Sequence, residues 1–219
     1  MTIKSHTIEL WAFAKRPLRL GAVLMLAASL YGCAVAKPNN TENACEIFRQ
    51  YPDWYVSAKE AEQRWGTPVP VALAFIQQES SFQSDAQPER TTILGIIPGP
   101  RKSSSYGYTQ ALDSTWQEYQ ESTGNRRASR VIFHDAVDFI GWYNYQGYKR
   151  NQLERNNTYY MYIAYHEGHS GFADKKSWQN KQWLKDVATK VANRAIEYHN
   201  QLKGCKSSLN KGNTSWWVF

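Results

Sequence analysis

The sequence predicts a mainly α-helical single domain interrupted by one long irregular loop. Three observations carry that prediction. The chain has 219 residues, within the range of one domain. From Cys45 onward, apolar residues recur at helical spacing between start and stop signals. One stretch, Arg90–Ser105, breaks the pattern with Gly95, Pro98, Gly99, Pro100 and three serines, as a loop or short irregular hairpin does. The composition agrees. With 42% hydrophobic residues, only 21% charged ones, and 9 Trp, 14 Tyr and 8 Phe, the chain can bury a core. These values exclude an acidic disordered tail, a collagen-like chain and a polytopic membrane protein.

In chain order, residues 1–19 hold Lys4, Lys15, Arg16 and Arg19 against Glu9, and the apolar run Leu20–Leu30 follows. A bilayer span needs about 20 apolar residues, so this run reads as a secretion signal. Leu30-Tyr31-Gly32-Cys33 resembles a bacterial lipobox. That resemblance implies a signal peptide over 1–32, removed before Cys33, and acyl chains on the Cys33 thiol as a membrane anchor. By resemblance to enterobacterial sorting rules, Ala34 implies the outer membrane, with the domain facing the periplasm. Residues 33–44 are expected to be a tether, 45–205 the folded domain and 206–219 a disordered tail. Three cysteines occur. Lipidation takes Cys33, leaving Cys45 and Cys205 as a disulfide joining the domain ends or as two buried thiols.

Ser57-Ala58-Lys59-Glu60 reads as a capping box, and Gly66 ends that helix. Pro68 and Pro70 suit the start of the next, which Val71–Ser80 continues. Asp113 is placed to cap Ser114–Ser122, stopped by Gly124. His134–Tyr148 is helical despite Gly141, and Thr158 caps Tyr159–Glu167 ahead of Gly168. Ser177 opens a long helix to Lys203, with Leu184, Val187, Val191, Ala195, Tyr198 and Leu202 in one stripe before Gly204. Lys206–Ser215 is polar, and nothing in the pattern explains Trp216–Phe219.

Three segments look chemical. In Val69–Phe82, helical spacing puts Glu79 in line with Ala72, Phe75 and Ile76. Apolar surroundings penalise a carboxylate, and a carboxyl kept protonated near neutral pH can act as a general acid; a residue that only rims the core has the same spacing. Ser105-Tyr106-Gly107-Tyr108-Thr109-Gln110 puts a permissive glycine and a donor–acceptor amide between the loop and a helix. Tyr160–Gly168 is an aromatic helix end closing on Tyr165-His166-Glu167.

Together these segments resemble the lytic transglycosylases of the goose-lysozyme-like superfamily, related to the soluble lytic transglycosylase catalytic domain. That group carries Glu-Ser, then Gly-Leu-Met-Gln, then Ala-Tyr-Asn. Here they read Glu79-Ser80, Gly107-Tyr108-Thr109-Gln110 and Ala164-Tyr165-His166. The resemblance covers roughly Gln50–Leu202. A subset of small outer-membrane lipoproteins is similar in the long loop and the His-Glu-Gly ending. The chain departs from the pattern in Tyr108-Thr109, in His166 for Asn, and in the longer loop, where Ser104 and Ser105 are candidates for the serine that contacts the acid.

The resemblance implies a lysozyme-like fold with the loop beside the active-site cleft. It also implies cleavage of the β-1,4 bond between N-acetylmuramic acid and N-acetylglucosamine, leaving 1,6-anhydro ends. Glu79 is the implied acid and then base. Ser80, Ser105, Tyr106, Gly107, Gln110, Tyr165 and His166 are implied on the saccharide. Trp116, Tyr106, Tyr108 and Tyr143 are candidate sugar platforms, although core packing is the favoured role for each ring taken alone. Peptidoglycan glycan strands and a membrane, through the anchor, are the implied partners; no protein partner is named. No cofactor is called for, and His134, His166, His169 and His199 lack zinc-site spacing. A hydrolytic muramidase is the nearest alternative. It needs a second carboxylate, for which Asp85, Asp135, Asp138 and Glu167 are available. The other is a non-catalytic peptidoglycan-binding lipoprotein, against which Glu79 is retained. Nucleic-acid binding is disfavoured because the basic residues are scattered and match no motif.

Overall fold

The computed structural model describes residues 35–93 and 96–214. The signal segment 1–32, Cys33 and Trp216–Phe219 lie outside them. Among the described residues the chain forms seven α-helices and one two-stranded hairpin.

The first helix, α1 (Ala44–Gln50), is capped by Asn43, whose side chain accepts from the N–H groups of Cys45 and Glu46. The second, α2 (Pro52–Trp65), starts at Pro52 rather than at the expected capping box. A proline's missing N–H costs nothing in a first turn, and Ser57, one turn inside, donates its hydroxyl to the Asp53 carbonyl instead. Gly66 ends α2 in the left-handed region. Next comes α3 (Val69–Ser80), in which every residue from Val69 to Ile76 is buried. A helix apolar on all sides belongs at the centre, and α3 packs against α2, α5 and α7.

Strands β1 (Arg90–Ile93) and β2 (Ile97–Arg101) form an antiparallel hairpin with a register irregularity between Arg90 and Thr92. Helix α4 (Asp113–Thr123) ends at Gly124. Asp113 sits in its first turn and pairs with Arg130 rather than capping. Helix α5 (Phe133–Asn151) supplies the aromatic core: Phe133 stacks on Trp54 at 4.1 Å, and Phe139 and Trp142 meet Trp116 and Tyr119. Helix α6 (Thr158–Ala173) is capped by Asn157, one residue before the expected Thr158, and resumes after a break at Gly168. A short 3₁₀ turn, Lys175–Ser177, leads to α7 (Gln182–Thr214).

Two boundaries differ from expectation. Residues 206–214 are helical, not a disordered tail, because α7 passes through Gly204 and stays attached to the core. Cys205 and Leu209 are buried, Cys205 is disulfide-bonded to Cys45, and Tyr55 donates to the Asn210 side chain. The expected tether also departs from prediction over residues 36–43. Pro38 is buried, and the Tyr51, Tyr198 and Gln201 side chains donate to the carbonyls of Ala36, Thr41 and Glu42. Polar composition suggested a free linker; its backbone carbonyls instead serve as acceptors for α1, α7 and the Tyr51 between α1 and α2. Among the described residues no helix is long and apolar enough to cross a membrane.

Candidate active site

Glu79 sits in the last turn of α3, and the chain turns away directly after it. Ser81 and Phe82 take φ of 50° and 62°, a strained pair for residues other than glycine. The strain is held by Phe82, fully buried and stacked on Trp54 at 6.0 Å. The turn leaves Glu79 half-buried at a cavity of about 390 Å³. Gln110–Leu112 form one wall. Phe139 and Tyr143 of α5 and Tyr165–Gly168 of α6 form the others.

Burial pushes the Glu79 carboxyl up to about 7, and a hydrogen bond from Tyr162 opposes that shift. The negative end of the α3 dipole also disfavours the ionised form. Tyr162 donates to Glu79 Oε1 at 2.8 Å. Burial, and then the Glu79 carboxylate, raise the Tyr162 phenol, so it stays a donor. Phe75 meets Tyr162 and Tyr165 edge-on at 5.3 and 5.2 Å, which braces both rings. Tyr162 was not among the sequence candidates. Its signal was its place three residues before Tyr165, on the same face of a helix.

The predicted saccharide residues divide into two groups. Gln110, Tyr165 and His166 line the cleft with Glu79. Ser80, Ser105, Tyr106 and Gly107 are absent from that lining. Ser80 donates to the Ile76 carbonyl, and Ser105 to Gln110 Oε1 at 3.2 Å. Tyr106 bridges to Ala111 beneath Arg130. Gly107, at φ 75°, lets the loop approach so closely that a Cβ would lie 2.3 Å from the Arg130 carbonyl oxygen. Gln110 is itself a staple: its Nε2 donates to the carbonyls of Ala86 and Gly107, both at 2.9 Å. The Tyr165 hydroxyl donates to the Thr109 carbonyl at 2.6 Å. Neither candidate serine bonds the acid, since Ser104 accepts from the Asp113 N–H. Of the four candidate platforms, Tyr108 and Trp116 are core rings, Tyr106 is absent from the cleft lining, and Tyr143 faces the cleft. Its hydroxyl donates to the Ala164 carbonyl at 3.2 Å.

A carboxyl pushed up to about 7 in a groove of this size can act as a general acid on a bound ligand. A family model described as Transglycosylase SLT domain matches residues 21–205. The chain belongs to this family. It is therefore a lytic transglycosylase of the lysozyme-like superfamily, and its partner is the glycan of peptidoglycan. No curated protein and no solved structure matches the chain.

The other acids of this SLT transglycosylase are sorted by their contacts. Asp85 is exposed beside Gln83. Asp135 accepts the Ser129 N–H, and buried Asp138 accepts from Tyr119 and Trp65 and pairs with Arg64. Only Glu167 among these four lines the cleft, where Lys181, His166 and Ser177 engage it. Among the described residues no three His, Cys, Asp or Glu side chains converge as metal ligands.

Proposed function

We propose that this transglycosylase cuts the β-1,4 bond between N-acetylmuramic acid and N-acetylglucosamine without water, with Glu79 as the single catalytic carboxyl. Protonated Glu79 gives its proton to the glycosidic oxygen as the C1–O bond breaks. The substrate's acetamido oxygen bonds to C1 and holds the positive charge. Glu79, now ionised, takes the proton from the C6 hydroxyl; O6 then bonds to C1 and displaces the acetamido oxygen, closing the 1,6-anhydro ring. One group must be acid first and base second, so its pKa belongs near the working pH. The observation that carries this reading is the Glu79 carboxyl, pushed up to about 7 at the cleft floor.

Digestion of purified sacculi followed by mass spectrometry tests it. The expected products end in 1,6-anhydromuramic acid, and Glu79→Gln yields none. Reducing muramic acid ends, or a Glu79→Gln variant that still cuts, overturn the assignment. The hydrolytic reading has one observation in its favour, the second carboxylate Glu167 in the same cleft. Both of its oxygens already accept protein hydrogen bonds, which leaves it poorly suited to directing water.

We further propose that Cys33 carries the lipid anchor and that the enzyme works at the inner leaflet of the bacterial outer membrane, facing the periplasm. The lipobox-like Leu30–Cys33 and Ala34 support this. Membrane fractionation in which the Cys33→Ser protein stays as membrane-bound as the parent would overturn it.

A further inference from the structure

α6 brings His166 and Glu167 to the cleft wall one after the other, and Gly168 then breaks the helix at φ 76°, ψ 159°. Only glycine adopts that backbone readily. The Glu167 side chain is 7% exposed. Lys181 donates to both of its oxygens at 2.8 Å, and Ser177 Oγ lies 3.1 Å from Oε2. Burial alone would raise this carboxyl, but the hydrogen bonds from Lys181, His166 and Ser177 outweigh it and hold Glu167 below the usual carboxylate range. Glu167 is thus an anion, and a carboxylate has no hydrogen to donate.

That fixes the proton on its neighbour. His166 Nδ1 stands 3.1 Å from Glu167 Oε1, so Nδ1 must carry the hydrogen. In the neutral ring, Nε2 is then a bare acceptor. Trp183 meets the ring edge-to-face at 5.0 Å and limits its rotation. The His166 side chain is 42% exposed, lines the cavity that holds Glu79, and meets no donor to Nε2 among the described residues.

We propose that the Glu167–Lys181 pair sets His166 as a dedicated acceptor subsite, where Nε2 receives a hydrogen bond from a hydroxyl or acetamido N–H of the bound glycan. His166 is then a specificity-determining residue, and Glu167 a positioning residue that acts through it. An amide at this position can rotate to offer a donor or an acceptor; the tethered imidazole in its neutral form offers an acceptor alone. The subsite therefore favours a glycan group that brings its own hydrogen.

This rests on the reading of the cleft as a saccharide site, and its test is independent of turnover. The full chain carrying Glu79→Gln is labelled with ¹⁵N-histidine and titrated with tetra-N-acetylchitotetraose. The expected spectrum shows a protonated Nδ1 and an unprotonated Nε2 at His166, with the Nε2 resonance moving on saccharide addition. Glu167→Gln should lose that preference and weaken saccharide binding about tenfold. His166→Ala, at an exposed position that leaves the Glu167–Lys181 pair intact and supplies no acceptor, should weaken binding by as much. The double variant should bind no worse than either single one, because both remove one hydrogen bond. A proton on Nε2, a stationary Nε2 resonance in saturating saccharide, or additive losses in the double variant would each overturn the inference. Failure of the catalytic reading looks different: Glu79→Gln would still cut sacculi while the His166 spectrum stayed as expected.

Discussion

Glu79 couples function to stability. Its folded carboxyl is raised to about 7, so between the unfolded value near 4.5 and that point the native state holds a proton that the unfolded chain has released. Stability therefore falls as pH rises through this window, by about 1–3 kcal/mol in total. Glu79→Gln removes the dependence. Urea denaturation should show the variant more stable than the parent at pH 8 and nearly equal to it at pH 4.5; equal stability at both would show that the acid is not desolvated. Tyr162 acts on the same group from the opposite side. Its hydrogen bond favours the ionised form, so Tyr162→Phe should move the alkaline limb of the kcat/KM profile upward. It should also reduce kcat about tenfold through loss of orientation, an order expected for one charge-assisted hydrogen bond. An unmoved limb would detach Tyr162 from the acid.

At the scale of elements, the site depends on breaks in helices more than on the helices themselves. α3 stops just after Glu79 because Phe82 is drawn into the core, and α6 bends just after Glu167 because Gly168 permits it. A Cβ at Gly168 would meet nothing within 4 Å, so the backbone angle alone opposes a side chain there. Gly168→Ala should cost about 1–3 kcal/mol in chemical denaturation. Because the bend positions both His166 and Glu167, saccharide affinity should fall as well. A variant with parental stability and affinity would show that the break at Gly168 is dispensable.

At the scale of the whole molecule, the ends of the domain are tied together. The Cys45–Cys205 disulfide spans 160 residues and sits where α1 and residues 36–43 meet α7. A cross-link of that reach restricts the unfolded chain strongly, and replacing both cysteines with alanine should lower stability by about 2–4 kcal/mol. Glu79 lies far along the chain from both cysteines, so kcat on sacculi below the melting transition should change little. A large loss of kcat with an unchanged melting temperature would contradict this division of labour.

Much of this molecule was legible in residue order. Helical spacing marked Glu79 beside Phe75 and Ile76, glycine and proline punctuation marked α3, α4 and the hairpin, and the three ordered segments marked the family. These features are set by neighbours within a few positions, which local sequence records. Other features were decided only by folding. Tyr162 lies 83 residues from the acid it contacts. Gln110 lines the cleft and is also a loop staple, since its partners Ala86 and Gly107 approach only when the loop closes. Polar residues 36–43 and 206–214 read as free chain because composition carries no account of the distant amide and hydroxyl donors and the disulfide that hold them. Sequence determined which groups are chemically able; the tertiary structure decided which hydrogen bonds each has left to offer, because every donor and acceptor is claimed first by whatever the fold brings nearest.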